Sequence, residues 1–345
     1  MSDSPASRPY SDTVRLSLAE TAMLAQRALQ AAGLAPRHAA LVAAQHAAAE
    51  ADGIPSHGLA RIPSTCDILG SGKIKLDAAP VVTRPRPGVV AVAADDGFPH
   101  LGIDLGTPEL VAAARANGIA AMAVSNGYAC GVLGYHTERI SVGGVVVLGF
   151  TQAPASMAPW GGKRAVVGTN PMSLAVPRPG EAPILIDQSS SVVAKSEVMD
   201  RHARGEPIPS NWAFDKEGAP TTSTAAALQG GTMAPFGGYK GFSIGLVVEM
   251  FAALLTGSSI GIEAPGLIDK ASGPPRVGAY FIAIDPGVTA GDDFAQRLAR
   301  LVAAIVDQPG TRLPGSRRQR WRARTAVDGI EIPRTLHDDL VVLAR

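Results

Sequence analysis

The spacing of apolar residues changes twice along this chain, and the changes limit the architectures open to it. Over residues 17–51 apolar positions recur every three or four residues, the period of helices that bury one stripe. Ser17-Leu18-Ala19-Glu20 reads as a capping box, Gly33 closes the first helix, and an alanine-rich second helix runs over 37–51. From residue 80 the pattern turns to short apolar runs bounded by Pro, Gly and Asp, which read as strands at 80–83, 88–93, 119–125, 144–152, 184–187 and 277–284. Helices are expected between them at 101–117 and 192–202. An apolar helix follows at 242–255, and a C-terminal helical set at 292–306, 317–325 and 335–344. Helices at both ends with strands between define an α/β chain. Four regions follow: a polar, Pro/Ser-rich tail over 1–12 expected to be disordered, a helical region over 13–78, a sheet region over 79–290, and a helical region over 291–345. No repeat is present.

Several signals are missing. No GxGxxG follows a strand and opens a helix, so the Rossmann fingerprint is absent, and so is a Walker A loop. A bound dinucleotide would need another architecture. The formal net charge of +1 gives no bulk field for nucleic acid or a membrane surface. One basic cluster, Arg317-Arg318-Gln319-Arg320-Trp321-Arg322-Ala323-Arg324, reads by default as a solvated helix face, with a polyanion contact or a phosphate grip on a cofactor as the alternatives. Cys66 and Cys130 fit neither a disulfide framework nor a zinc site, and the seven histidines show no metal-ligand spacing, so no metal is expected. No apolar run is expected to reach the ~18 residues of a membrane span and no leader pattern is read, so a cytoplasmic protein is expected.

The stretch richest in chemistry is Ile54-Pro55-Ser56-His57-Gly58-Leu59-Ala60-Arg61-Ile62-Pro63. Gly53 and Pro55 break the preceding helix, and Ser56 suits the N-cap of a new one. In such a helix His57 and Arg61 share a face and could offer one small molecule a proton and a carboxylate clamp. Gly237-Gly238-Tyr239-Lys240-Gly241 opens the apolar helix with exposed N–H groups suited to an anion. The loop-rich 205–231 is long enough to suggest a functional role.

Together, the stretch at 55–63, Pro159-Trp160-Gly161-Gly162 with Gly168-Thr169-Asn170-Pro171, the segment 187–198, Phe236 to Gly241, and Arg312-Leu313-Pro314-Gly315-Ser316-Arg317-Arg318 resemble the malate/L-lactate dehydrogenase family that lacks a Rossmann fold. The pattern is closest to the branch of Δ1-piperideine-2-carboxylate/Δ1-pyrroline-2-carboxylate reductases. The resemblance implies a non-Rossmann NAD(P)-binding fold on a mostly antiparallel sheet, with helical segments from both termini packed together, and a homodimer. It implies hydride transfer between nicotinamide and a carbon beside a carboxylate: reduction of a cyclic 2-imino acid, with a 2-hydroxy-acid dehydrogenase of malate, L-lactate or ureidoglycolate type as the alternative.

By the same resemblance His57 is the proton donor, Ser56 its relay partner, and Glu197 the carboxylate at the end of the relay, where the branch carries Asp. Arg61 and Thr169 contact the substrate. The cofactor segments are Ala129, Cys130, Gly131, Val132 and Leu133; Asp187, Gln188 and Ser189; Tyr239 and Lys240; and Arg312, Leu313, Pro314, Gly315, Ser316, Arg317 and Arg318. Adjacent arginines suit a ribose 2′-phosphate, favouring NADP over NAD. Many members of that family carry a Ser-Asn-His run where this chain reads Ser125-Asn126-Gly127-Tyr128-Ala129-Cys130-Gly131; the imidazole is lost, its place falling on Gly127 counted forward from Ser125 or on Ala129 counted back from Gly131. Two competing readings are a hydrolase using Ser56, His57 and Glu197, and a non-catalytic nucleotide binder. The hydrolase is disfavoured because GxSxG is absent and adjacent Ser and His side chains on a helix start point apart.

Overall fold

The structure is a computed structural model describing residues 12–345. Residues 1–11 of the expected tail lie outside the described residues. Asp12, assigned to that tail, is tied down: its carboxylate accepts from Arg334 Nε at 2.8 Å and its carbonyl from Arg334 N at 3.1 Å.

The described residues open with β1 (Thr13–Leu16), a strand in a region read as all helical, followed by α1 (Leu18–Ala31) and α2 (Pro36–Ala51). The α1 capping box forms: Glu20 N donates to Ser17 Oγ at 3.2 Å and Ser17 N to Glu20 Oε2 at 2.7 Å. Two 3₁₀ turns, Pro55–His57 and Leu59–Arg61, lead into α3 (Ile62–Leu69). There follow β2 (Val81–Arg86), β3 (Val89–Ala93), α4 (His100–Asn117), β4 (Ile119–Gly127), α5 (Leu133–Ser141), β5 (Val146–Thr151), β6 (Met172–Arg178) and β7 (Glu181–Gln188). Next are α6 (Lys195–Ala203), β8 (Ala213–Phe214), α7 (Thr224–Leu228), β9 (Thr232–Met233) and α8 (Tyr239–Ala252). The last elements are β10 (Val277–Ile284), α9 (Pro286–Ala290), α10 (Phe294–Val306), α11 (Ser316–Asp328), β11 (Ile330–Pro333) and α12 (Arg334–Leu343).

The main sheet has seven strands in the order β2-β3-β4-β10-β5-β6-β7. Only β3 and β4 are parallel, joined by α4 as the crossover; every other neighbour pair is antiparallel. β10 is inserted at the centre, Tyr280 facing Ala123 on one side and Phe150 on the other. Adjacent residues of a strand point to opposite faces. Phe281 is therefore fully buried with Val92, Leu110, Met122 and Ile140, while Tyr280 joins Phe150, Phe251 and Val248 beneath α8.

The two chain ends build a second layer. β1 pairs antiparallel with β11, Val14 opposite Ile332. Ala25, Leu29, Val42, Leu59 and Ile62 share one core with Ile330, Ile332 and Leu340. Short alanine side chains at 39, 43 and 47 are all buried and let α2 pack closely.

The segment Tyr239–Thr256 is 18 residues with mean hydropathy 1.4, long and apolar enough by length and composition to cross a membrane. That corrects the expectation that no run reaches this length; the glycines at 241 and 245 hide the run without lowering its mean much. In this fold the segment covers β5 and β10 with Val248 and Ala252, while Leu246, Val247, Met250, Leu254 and Leu255 face outward.

Candidate active site

Three backbone features shape the turn after α2. Gly53 has φ +68°, and a Cβ there would lie 2.7 Å from the Trp321 indole, so only glycine lets α11 seat against this loop. The Glu50 side chain fills the space a Cβ on Gly58 would need, and its Oε1 accepts from Leu59 N at 2.8 Å. Pro55 starts a 3₁₀ turn. Ser56 is thus not the N-cap of a helix, which is a correction: the chain passes through two 3₁₀ turns, and α3 starts only at Ile62.

The tighter turn changes where the side chains go. Ser56 Oγ lies 3.1 Å from His57 Nδ1, a hydrogen bond that an α-helical start would make difficult. His46 from α2 donates Nδ1–H to the His57 carbonyl at 2.8 Å, and Arg61 donates Nε–H to the Ser56 carbonyl at 2.8 Å. Imidazole and guanidinium are therefore both anchored from behind, leaving Nε2 of His57 and the terminal nitrogens of Arg61 for a ligand. Burial, and after it the Arg61 charge, hold the His57 pKa below its ordinary value; Asp187 opposes this, Arg318 adds to it, and Asp200 opposes it. Glu197 lies on α6, where it accepts from Arg201 Nε at 3.4 Å, and Arg201 stacks on Trp212. Asp187 and Asp200 are carboxylates that act to raise the His57 pKa against burial and Arg61. Asp200 was not singled out in the sequence; its spacing of three from Glu197 was the available signal.

Thr169 sits in a loop held by its neighbour. Asn170 is fully buried at φ +34°, donating Nδ2 to the Gly245 carbonyl at 2.9 Å and to Glu249 Oε2 at 2.7 Å. Glu249 also accepts from Gly261 N at 2.6 Å, and burial raises its pKa. Ser190 N donates to the Thr169 carbonyl at 2.8 Å, joining this loop to the end of β7. Asn170 and Glu249 are supports that the sequence did not reveal.

Three of the four expected cofactor segments converge. The loop 129–133 precedes α5, with His136 Nε2–H donating to the Cys130 carbonyl at 2.8 Å. At Gly131, φ +70°, the buried Gln45 amide occupies the space of a Cβ. Asp187 at the end of β7 accepts from Arg318 Nη2 at 2.7 Å, the two side chains being 10% and 15% exposed. A Cβ on Gly134 would meet Asp187 Oδ2 at 2.6 Å and Arg318 Nη1 at 2.7 Å; one on Gly315 would meet the Leu185 backbone at 3.0 Å. Arg318 is therefore turned inward and Arg317 is exposed, so the adjacent arginines do not present one outward pair. The fourth segment starts α8, with exposed Tyr239 6.5 Å from the Trp160 ring. It is tied to the others through Phe236 N, which donates to the Ser190 carbonyl at 3.1 Å. Arg322 fastens α11 from the other side, donating to Asp52 at 2.8 Å and to Glu138 at 2.6 Å.

These residues fit a dinucleotide. The N-termini of α5, α8 and α11 have no side-chain caps, leaving N–H groups for anionic oxygens. Arg318 Nη1 is buried beside α5 with no hydrogen-bond partner among the described residues.

The model of the malate/L-lactate dehydrogenase family matches residues 16–341. A Δ1-pyrroline-2-carboxylate reductase of Ancylobacter novellus is 38% identical over 335 residues, 96% of this chain and 98% of that protein. A (2R)-3-sulfolactate dehydrogenase (NADP(+)) of Chromohalobacter salexigens is 39% identical over 94% of this chain and 96% of its own. The crystal structure of Δ1-piperideine-2-carboxylate reductase from Pseudomonas syringae pv. tomato superposes with a TM-score of 0.91 at 33% identity, covering 96% of this chain and all of that one. The fold and the matches define an oxidoreductase built on a mostly antiparallel sheet. The chain belongs to the malate/L-lactate dehydrogenase family.

Proposed function

We propose that this chain is an NADPH-dependent reductase of cyclic 2-imino acids, converting Δ1-pyrroline-2-carboxylate and Δ1-piperideine-2-carboxylate to L-proline and L-pipecolate. The observation that carries the reading is the back-anchored pair of His57 and Arg61. Ser56 holds Nδ1 of the imidazole, so the proton to be delivered sits on Nε2. With its Nε bonded to the Ser56 carbonyl, Arg61 offers its terminal fork to the substrate carboxylate. On this reading Thr169 contributes a hydroxyl to the substrate. The nicotinamide cofactor, when bound, supplies the hydride to the substrate carbon. His57 supplies the proton to the ring nitrogen, and the C=N bond becomes the secondary amine of the product. His57 must enter protonated, and Asp187 and Asp200 act in that direction. Residues 129–133, 187–189, 239–240 and 312–318 would hold the cofactor, and the exposure of Arg317 at the start of α11 supports its meeting a ribose 2′-phosphate.

A second reading, a 2-hydroxy-acid dehydrogenase, is favoured by the 39% identity to the sulfolactate enzyme. Both reactions use the same acid and clamp, differing in whether nitrogen or oxygen receives the proton. Loss of reduced-nicotinamide absorbance with each cyclic imino acid, beside pyruvate, oxaloacetate and 3-sulfopyruvate, separates them. Turnover chiefly on the imines supports the first reading, and turnover chiefly on a keto acid replaces it with the second.

We also infer a cytoplasmic homodimer without nucleic-acid or membrane partners. The outward face of α8 with Leu246, Val247 and Met250, continued by Leu254 and Leu255 of the 3₁₀ turn after it, is an apolar strip of the kind that a second copy covers. Sedimentation of the protein, and of a Val247→Glu, Met250→Glu variant, tests this; a wild-type monomer overturns it.

A further inference from the structure

Helix α2 touches both halves of the candidate site through consecutive residues. His46 Nδ1 meets the His57 carbonyl at 2.8 Å and so holds the turn that carries the acid. Gln45 lies about 100° round the helix and reaches another way. It is 1% exposed, and its amide is pressed against Gly131, with Oε1 standing 2.0 Å from where a Cβ on that glycine would lie. Gly131 is the middle of the 129–133 segment. The carbonyls on either side of it are taken, that of Cys130 by His136 Nε2 at 2.8 Å and that of Val132 by Tyr135 N at 3.1 Å. Both polar atoms of the Gln45 amide are buried with no hydrogen-bond partner among the described residues. A buried amide without partners costs stability, and a methionine would fill the same space without that cost. Packing alone thus gives no reason for an amide at this position.

We propose that Gln45 is a positioning residue for hydride transfer: its amide, a donor and an acceptor in one plane, takes a peptide group of Gly131 as partner when the 129–133 loop grips the cofactor, and so fixes that loop to the helix that holds His57. The proposal rests on the reading that 129–133 holds the cofactor. Gly131 suits the contact on two counts. Its φ of +70° is a conformation that side chains rarely adopt, and its missing Cβ is the space the amide fills. Hydride and proton must reach neighbouring substrate atoms in a fixed relative geometry. With Gln45 and His46 adjacent in one helix, the two deliveries share one support.

The test separates an orienting amide from a space-filling one. Gln45→Met keeps the length and helix preference of the side chain and removes both hydrogen-bonding groups. Measured without cofactor, its urea midpoint should equal or exceed that of wild type, because an unpartnered amide has been removed. Its Kd for NADPH, followed by fluorescence, should rise about tenfold, the worth of one or two hydrogen bonds. With whichever carboxylate substrate wild type turns over, kcat should fall while the substrate KM stays, since Arg61 is anchored elsewhere. An unchanged Kd, or a urea midpoint well below wild type, overturns the proposal. If Gln45→Met does not fold, Gln45→Asn decides: it keeps the amide but stops one methylene short of Gly131, and an NADPH affinity equal to wild type overturns the proposal. A wild type that binds neither NADPH nor NADH removes the cofactor reading of 129–133 itself, and the proposal with it.

Discussion

Ser56 and His57 are sequence neighbours, yet their side chains meet at 3.1 Å, hydroxyl to Nδ1. An α-helical start would splay them; the 3₁₀ turn over Pro55–His57 brings them together. The contact fixes the ring orientation and leaves Nε2 outward, as a proton donor requires. The hydroxyl is engaged by Nδ1, which suits a group that orients the ring and leaves Nε2 for proton transfer.

This separates two effects that substitution can measure. His57→Gln removes the acid and should lower kcat by ~10²–10⁴-fold with cofactor binding intact. Ser56→Ala keeps the acid and loses only its orientation, so the fall should be ~10-fold. Steady-state kinetics with a fluorescence titration of the cofactor checks both. Equal losses in the two variants would mean that Ser56 itself contacts substrate.

Buried histidines give the fold a predictable pH response. Burial pushes His46 and His136 down to about 4, against the ordinary imidazole value of about 6.5. The unfolded chain therefore binds more protons between those values. Stability should be complete above about pH 6.5 and decline as pH falls toward 4, by up to about 3 kcal/mol for each group. His136→Gln can still donate toward the Cys130 carbonyl but cannot titrate. Urea midpoints measured across this range should be flatter for that variant than for wild type.

The Thr169 loop should be sensitive through a residue that never reaches the ligand. Asn170→Ala removes the amide from Gly245 and Glu249 and leaves a buried carboxylate short of a donor. A loss of about 2–3 kcal/mol is expected, together with a higher KM as Thr169 loses its support. Glu249→Gln still offers an oxygen to Asn170 and should cost less. Chemical denaturation and kinetics on both variants test the order.

The parts of the site that could be read from the sequence were local. The Ser17–Glu20 box and the run of residues around His57 carry their spacing in the chain. What was not legible depended on contacts between distant segments. β1 is only four residues long and is a strand because β11 pairs with it from the other end of the chain. Arg318 reads as one of two equivalent arginines until β7 supplies Asp187. Glu197 matches a position in a pattern, whereas the helix sets Asp200 one turn on among the charges around His57. Asn170 reads as a turn residue, and only the packed α8 supplies Glu249 as its partner.

Gly134 offers a test with an unusual sign. It lies in the first turn of α5, where alanine ordinarily stabilises a helix over glycine by about 1 kcal/mol. Here the added methyl would meet both Asp187 and Arg318 within 2.7 Å. Gly134→Ala should therefore destabilise the protein, and should weaken cofactor binding by prising the 312–318 segment from β7. Thermal unfolding with and without cofactor measures this; a stabilised variant would show that the ion pair can move aside freely.

Arg322 should be the strongest single determinant of how α11 is docked. It is bonded to Asp52 at the end of α2 and Glu138 on α5, side chains only 5% and 15% exposed, while its own is 36% exposed. Arg322→Leu keeps much of the side-chain volume but leaves two shielded carboxylates facing each other without a cation. Removing one partner of a buried ion pair costs more than the pair contributes, and part exposure reduces that cost, so a loss of about 2 kcal/mol is expected. Because α11 begins with Arg317 and Arg318, the damage should reach the cofactor: the Kd for NADPH should rise more than the KM for the imino acid, whose clamp Arg61 is anchored independently on the Ser56 carbonyl. Replacing Asp52 and Glu138 by Asn and Gln in the Arg322→Leu background removes the stranded charges and should restore part of the stability. Failure of that rescue would mean that Arg322 acts through its packing rather than its charge.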